Sequence, residues 1–270
     1  MPIEVASEIR ILSEDQFHSV AHNVMGVFFA VHNAFGRLME EELYKRVSCL
    51  RCEAVGFAPA LREVRIIVSC QDFVKAYLMD LLVCSGLMVE VKAVEQLTAA
   101  HRTQALNYLL LTGMQHGLLV NLRSNKVTKE FVSTTLDGSE RRRLVVDDSN
   151  WRDVNAESER VKCHLLELLA DWGGFLQLSL YREAIVHAFG GASTVLKRVP
   201  IYGDTAAVST QEVCCLCTDT ALALTAIKDN QASMRRHLQQ FLDHTRLAHL
   251  QWINLHHHDI TFRTLKRNSV

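Results

Sequence analysis

Two acidic residues stand inside apolar runs: Asp80 in Tyr77-Leu78-Met79-Asp80-Leu81-Leu82-Val83, and Glu90 in Leu87-Met88-Val89-Glu90-Val91-Lys92-Ala93-Val94. Such runs read as buried strands, where a carboxylate is costly unless a cation compensates it. Lys92 lies two residues beyond Glu90 and so shares its face. If Cys84-Ser85-Gly86 is a three-residue turn with Gly86 left-handed, Asp80 falls opposite Glu90. A two-residue turn would send Glu90 to the other face. In the first register two carboxylates and a lysine converge. That patch suits a divalent cation acting on a phosphodiester: hard oxygen ligands hold Mg²⁺ or Mn²⁺, which acidifies a water and offsets phosphate charge. The lysine would orient the attacking hydroxide and stabilise the transition state.

The elements that position this patch follow from periodicity. Apolar residues from Phe17 to Arg51 recur at helical steps, with Gly36 bending or dividing the helix. Short β-branched runs follow, Val64–Ser69, Val74–Val83 and Leu87–Val94, and read as three antiparallel strands. Thr98 is placed to cap a helix ending near Gly113, followed by a strand at Gly117–Leu122, a turn at Asn125-Lys126 and another strand at Val127–Ser133. The charged stretch Asp137–Asn150 is taken as the domain boundary.

These residues carry a resemblance. Asp80 with Glu90-Val91-Lys92 resembles the metal motif of the PD-(D/E)XK nuclease superfamily. Val31-His32-Asn33-Ala34-Phe35-Gly36 followed by Glu41-Glu42-Leu43-Tyr44 is similar to the signature of its GxxExxY family. So is the block running from Lys92-Ala93-Val94-Glu95 through His101-Arg102-Thr103-Gln104 and Asn107-Tyr108 to Leu111-Thr112-Gly113. Gln104 and Tyr108 also match the QxxxY pattern of RecB-like exonucleases. The resemblance spans roughly residues 20 to 135.

It implies a restriction-endonuclease-like α/β fold with an α-β-β-β-α-β core. Asp80, Glu90 and the Val91 carbonyl would be metal ligands, with Glu41 reaching a second metal or its water. Lys92 would be catalytic, with Gln104 and Tyr108 orienting it or the scissile phosphate. The cofactor would be Mg²⁺ or Mn²⁺ and the partner nucleic acid, DNA favoured over RNA. One departure bears on Glu41: Leu38 replaces the family's glycine three residues before it, leaving Glu40 or Glu42 open as the inward residue.

Taken singly, these residues have simpler roles: Glu40-Glu41-Glu42 as a solvated helix face, Glu90 and Lys92 as an exposed strand edge, Gln104 and Tyr108 as helix surface and core. His32 is either an assistant at the site or a structural hydrogen-bond partner. In His256-His257-His258, adjacent strand residues would alternate faces, so a loop is the expected home. Cys49/Cys52 and Cys214/Cys217 have zinc-like spacing, but the second pair falls in an apolar strand pattern where packing suffices.

Composition sets the limits. The chain has 270 residues, 49% hydrophobic and 22% charged, which is ordinary globular composition and long enough for one large domain or two small ones. No apolar run approaches the roughly 18 residues of a membrane span. The acidic N-terminal segment does not resemble a targeting peptide, and the eight cysteines read as reduced thiols, so a cytoplasmic protein is expected. A net charge of −1 disfavours a broad basic surface that coats nucleic acid, but leaves room for a local, metal-centred site.

The second half repeats the first. A helical stretch from Glu157 to Phe189 precedes strands near Lys197–Tyr202 and Ala206–Leu216, a helix near Ala232–Thr245, and strands at Leu250–Leu255 and Ile260–Leu265. An offset of 133 aligns Thr112 with Thr245, His116 with His249 and Asn121 with Asn254; an offset of 137 aligns Gly36 with Gly173 and Tyr44 with Tyr181. A diverged internal duplication is therefore expected, with domains at 1–150 and 151–270. At these offsets Glu41, Asp80, Glu90, Lys92 and Gln104 become Leu178, Val213, Ala223, Thr225 and His237. The second domain would keep the fold without the chemistry and pack on the first as a pseudo-dimer. The expected activity is a metal-dependent nuclease; the alternative is a non-catalytic module, binding nucleic acid or protein, that retains the fold.

Overall fold

In the computed structural model, which describes residues 2–203 and 206–268, the chain divides into two units, Met1–Gly138 and Ser139–Val270. The first unit opens with a short strand, β1 (Ile3–Val5), then α1 (Glu14–Phe35). Ser13 starts α1 with a capping box: its hydroxyl accepts from Gln16 N–H and its own N–H donates to the Gln16 side chain. The helix buries Phe17, Ala21, Val24, Phe28 and Val31 along one stripe.

Gly36 ends α1 at φ 69, ψ −161, a conformation essentially restricted to glycine. Of the two alternatives for Gly36, the structure shows division: α2 is Glu41–Ala54. Tyr44 fixes the corner between them: its hydroxyl donates to the Gly36 carbonyl at 2.7 Å and accepts from Met39 N–H at 3.2 Å.

The sheet follows as β2 (Ala60–Cys70), β3 (Phe73–Val83), β4 (Leu87–Lys92), β5 (His116–Asn121) and β6 (Thr128–Ser133), with α3 (Ala99–Thr112) crossing between β4 and β5. Its order is β1-β2-β3-β4-β5-β6, antiparallel except for the parallel β4–β5 pair. Residues of α1 and α2 share a core with Leu81, Val83, Val89, Val91, Leu118 and Val120. On the opposite face α3 packs over Met88, and Gly117 leaves the room: a Cβ there would lie 2.4 Å from Met88 Cε and 3.1 Å from Leu109 Cδ2.

The β3–β4 turn has the expected three residues, and Val83 pairs with Leu87. Its geometry differs from expectation: Cys84 and Ser85 take the left-handed conformations, at φ 52 and 54, while Gly86 does not. Glycine is required at 86 for space instead, since an added Cβ would stand 2.7 Å from Leu12 Cγ and 3.0 Å from the Arg10 carbonyl.

The second unit comprises β7 (Val145–Asn150), α4 (Ala156–Trp172), α5 (Leu178–Ala188), a single turn α6 (Ala192–Val195), β8 (Leu196–Tyr202), β9 (Ala207–Cys215), β10 (Thr220–Thr225), α7 (Gln231–Asp243), β11 (His249–His256) and β12 (Asp259–Lys266). The order is β7-β12-β11-β10-β9-β8, with β10–β11 parallel, like β4–β5, and β7 added in parallel to β12. Each unit runs two helices, three antiparallel strands, a crossover helix, a parallel strand and an antiparallel partner.

Three expectations change here. The boundary lies after Gly138 rather than at 150, because Val145–Asn150 hydrogen-bonds to β12 as a strand of the second sheet. The helical stretch from Glu157 breaks at Gly173, at φ 78, ψ 176. Strand β10 is additional; its Thr-Ala-Leu-Ala-Leu-Thr sequence lacks β-branched apolar residues, so burial rather than propensity makes it a strand. Of the three histidines expected in a loop, His256 ends β11, and His257 and His258 form the turn before β12.

Candidate metal centre at a fork in the first sheet

The β3–β4 ladder runs from Val83–Leu87 to Leu81–Val89 and stops. Continuing that register sets Asp80 opposite Glu90, at the point where the two strands part. Asp80 spans the gap: Oδ2 accepts from the Val91 N–H at 3.0 Å. On the other side of β4, Lys92 O accepts from Leu122 N–H at 2.9 Å. Since alternate residues direct their backbone groups to opposite neighbours, the Val91 carbonyl faces the fork along with its N–H.

Lys92 Nζ lies 2.6 Å from Glu90 Oε1 and 4.0 Å from Asp80 Oδ2. These three side chains are buried, Glu90 at 0% exposure, Asp80 at 7% and Lys92 at 8%. Glu90 Oε2 is buried without a hydrogen-bond partner. Burial, ahead of the nearby Asp80 charge, pushes the Glu90 carboxyl up to about 7. Burial acts to lower Lys92, but Glu90 and then Asp80 outweigh it and hold the ammonium above its ordinary value.

Helix α2 delivers the remaining groups. Glu41, its first residue, accepts the Ala93 N–H at 3.3 Å, so it reaches the end of β4. Glu40 is the exposed cap residue, and Glu42 pairs outward with Arg62. Of the three acidic residues, Glu41 is therefore the one at the fork. Leu38 is 78% exposed, and the corner is held by Gly36 and Tyr44 instead.

Lys45 was not anticipated. One turn beyond Glu41, its ammonium stands 3.4 Å from Asp80 Oδ1, 3.5 Å from Glu42 and 3.7 Å from Glu63. Burial opposes its charge, but Asp80 raises the group overall. The i, i+4 spacing from Glu41 was the available sequence signal.

Gln104 and Tyr108 meet each other, Nε2 to the hydroxyl at 3.1 Å, and among the described residues neither hydrogen-bonds Lys92. Tyr108 nonetheless borders the fork: burial first, then Glu90 and Asp80, raise its phenol. His32 sits elsewhere in the unit's bonding, with Nε2 3.2 Å from the Ser124 carbonyl, tying α1 to the β5–β6 turn.

Among the described residues no three His, Cys, Asp or Glu side chains gather as a metal cluster. All eight cysteines are free, with Cys49 and Cys52 on α2 and Cys214 and Cys217 in the other unit. At the fork, however, the donor set suits a hard cation. Two carboxylates and a peptide carbonyl face one gap, and the partnerless Glu90 Oε2 is the observation that asks for a cation.

Residues 18–133 match the family model of the PD-(D/E)XK nuclease superfamily, whose members are typically nucleases and generally use divalent metals. The matched span includes Glu41, Lys45, Asp80, Glu90, Lys92, Gln104 and Tyr108 and leaves the second unit outside. Comparison with curated proteins and with solved structures gives no match.

Proposed function

We propose that the first unit is a Mg²⁺- or Mn²⁺-dependent nuclease hydrolysing phosphodiester bonds, of the GxxExxY branch, with DNA ahead of RNA as substrate. The observation that carries this is the fork itself: Asp80, Glu90 and Lys92 meet where β3 and β4 part, and Glu90 Oε2 lacks a hydrogen-bond partner. Asp80, Glu90 and the Val91 carbonyl would hold the metal, and Glu41 would bind from α2. A divalent ion there supplies acidification of water and neutralisation of phosphate charge. Lys92 keeps its proton, so it aims the attacking oxygen and stabilises charge on the phosphate in flight. Lys45, 3.4 Å from Asp80 Oδ1, would add positive charge beside a bound phosphate. Gln104 and Tyr108 support the Lys92 side of the fork from α3.

The second unit is read as a diverged copy that has lost this chemistry. Its support is the recurrence of hydrogen bonds. Tyr181 donates to the Gly173 carbonyl at 2.5 Å as Tyr44 does to Gly36. Asn121 bonds both backbone groups of Val94, and Asn254 bonds both of Ile227. The β9–β10 ladder also ends early, at Cys214–Leu222, and the next opposed residues are Val213 and Ala223 in place of two carboxylates.

A second reading has its own observation. Lys45 and Lys92 already neutralise Asp80 and Glu90, so the fold can persist as a binding module without metal. Incubating the protein with single- and double-stranded DNA and RNA in Mg²⁺ or Mn²⁺ separates the two. Cleavage should fall about a hundredfold or more in Asp80→Ala and in Lys92→Ala. Persistence in both variants removes the proposed site, and absence of both cleavage and a metal-dependent melting shift selects the binding module.

A further inference from the structure

Lys45 is shared among three carboxylates on three elements: Asp80 of β3 at 3.4 Å, Glu42 of α2 at 3.5 Å and Glu63 of β2 at 3.7 Å. The side chains of Lys45 and Asp80 are nearly buried, whereas those of Glu42 and Glu63 are about half-exposed. The ammonium thus stands at the rim of the fork, between one inner acceptor and two outer ones. Both oxygens of Asp80 are engaged, Oδ1 by Lys45 and Oδ2 by the Val91 N–H, with Lys92 at 4.0 Å. A divalent cation on Asp80 would share that carboxylate with the Lys45 ammonium, and like charges so close in a poorly hydrated place repel strongly. Glu63 is placed as the alternative acceptor. The β2–β3 ladder pairs Arg62 with Leu81 and Val64 with Met79, so Glu63 falls opposite Asp80, but that pair is missing from the ladder. Glu63 is instead left-handed, at φ 51, a conformation that non-glycine residues rarely adopt. Among the described residues Lys45 is the only ion-pair partner of Glu63, while Glu42 is also held by Arg62.

We propose that Lys45 is a displaceable counter-ion: it neutralises Asp80 while the fork is without a divalent cation, and is received by Glu63, beside Glu42, when Asp80 binds one. Glu63 is then a positioning residue that acts through Lys45, and together they set how tightly the fork takes up metal. The inference rests on the metal-site reading of the first unit. Its physical basis is an asymmetry of burial. Asp80, nearly buried, is costly to leave without a cation, whereas Glu63 is hydrated whenever Lys45 is elsewhere, so an exchange between them is cheap on the outer side. The flexible lysine stem makes the move without backbone displacement, since the ammonium already lies within 4 Å of both acceptors.

Calorimetric titration of the full-length protein with Mn²⁺, in the absence of nucleic acid, tests this without recourse to cleavage. Lys45→Met should tighten Mn²⁺ binding about tenfold, and Glu63→Gln should weaken it about threefold or more. Removing any nearby charge shifts a cation's affinity in these directions, so the double variant decides: in the Lys45→Met background Glu63→Gln should change the affinity by less than about twofold, because the residue it serves is gone. Lys45→Arg, which keeps the charge, should not tighten binding. Melting in EDTA checks that each variant is folded, and Lys45→Gln takes the place of Lys45→Met if the latter is not. The proposal is overturned if neutralising Lys45 leaves Mn²⁺ affinity unchanged or weaker, if Lys45→Arg tightens binding as Lys45→Met does, or if Glu63→Gln weakens binding equally in both backgrounds. Mn²⁺ binding that is lost in Asp80→Ala but indifferent to Lys45 removes this inference and leaves the metal site standing. Binding that survives Asp80→Ala, or that is absent from the wild type and the Lys45 variants alike, removes both.

Discussion

Glu90 is the residue on which the fork turns. Its carboxyl, ordinarily at 4.5, is pushed up to about 7 by burial and then by Asp80. Between those values the folded protein keeps a proton that the unfolded chain has released, so this group's effect on stability worsens as pH rises through the window. Above it, the folded state must hold a buried, partly unsatisfied carboxylate. A metal binds only the ionised form. Melting measured with and without Mn²⁺ should therefore show a larger metal shift at pH 8 than at pH 5.5, and Glu90→Gln should abolish the shift while flattening the metal-free pH dependence. Equal shifts at both pH values would refute this account of Glu90. Asp80, Glu90 and Lys92 were legible in the sequence because charges inside apolar strands are costly and thus informative. Lys45 was not, because a lysine on an amphipathic helix looks like any solvated residue until the fold brings Asp80 to it.

At the scale of elements, the α1–α2 corner aims Glu41. Gly36 and Gly173 hold the same kind of glycine conformation at the two corresponding corners. Gly36→Ala meets nothing within 4 Å, so its cost is backbone strain of about 1–3 kcal/mol. Gly173→Ala adds a contact of 3.0 Å with Arg141 Cβ, so it should be the more destabilising of the two in urea titration of the full chain. Tyr44→Phe removes the hydrogen bonds to Gly36 and Met39 and should cost about 1–3 kcal/mol. If Glu41 contributes to cleavage, the same variant lowers activity at temperatures where the protein is fully folded. The early end of the β3–β4 ladder matters equally, since continued pairing would close the gap that Asp80 bridges to Val91.

At the scale of the whole molecule, the two units share an order of main helices and strands, but where the first has Asp80 and Glu90 beyond its shortened ladder the second has Val213 and Ala223. Residues 1–138 should form a soluble, cooperatively folding fragment, whereas residues 1–150 append a strand whose partner, β12, has been removed. Gel filtration and melting of both fragments check this: the longer one should aggregate more. Full nuclease activity in residues 1–138 would argue that the second unit gives the first no catalytic support. No helix among the described residues is long and apolar enough to cross a membrane.

The order of helices and strands from α1 to β6, and the carboxylates and lysine of the fork, followed from local pattern, because periodicity and the cost of buried charge act over neighbouring residues. Other features needed the tertiary structure. Glu41 is distinguished from Glu40 and Glu42 only by the Ala93 N–H it meets across 52 residues. The Gly86 requirement comes from Leu12 and Arg10, the placement of Val145–Asn150 from β12, and the strand state of β10 from burial beside β11. Such contacts join residues distant in the chain, and neither their spacing nor their chemical type records which partner the fold will supply.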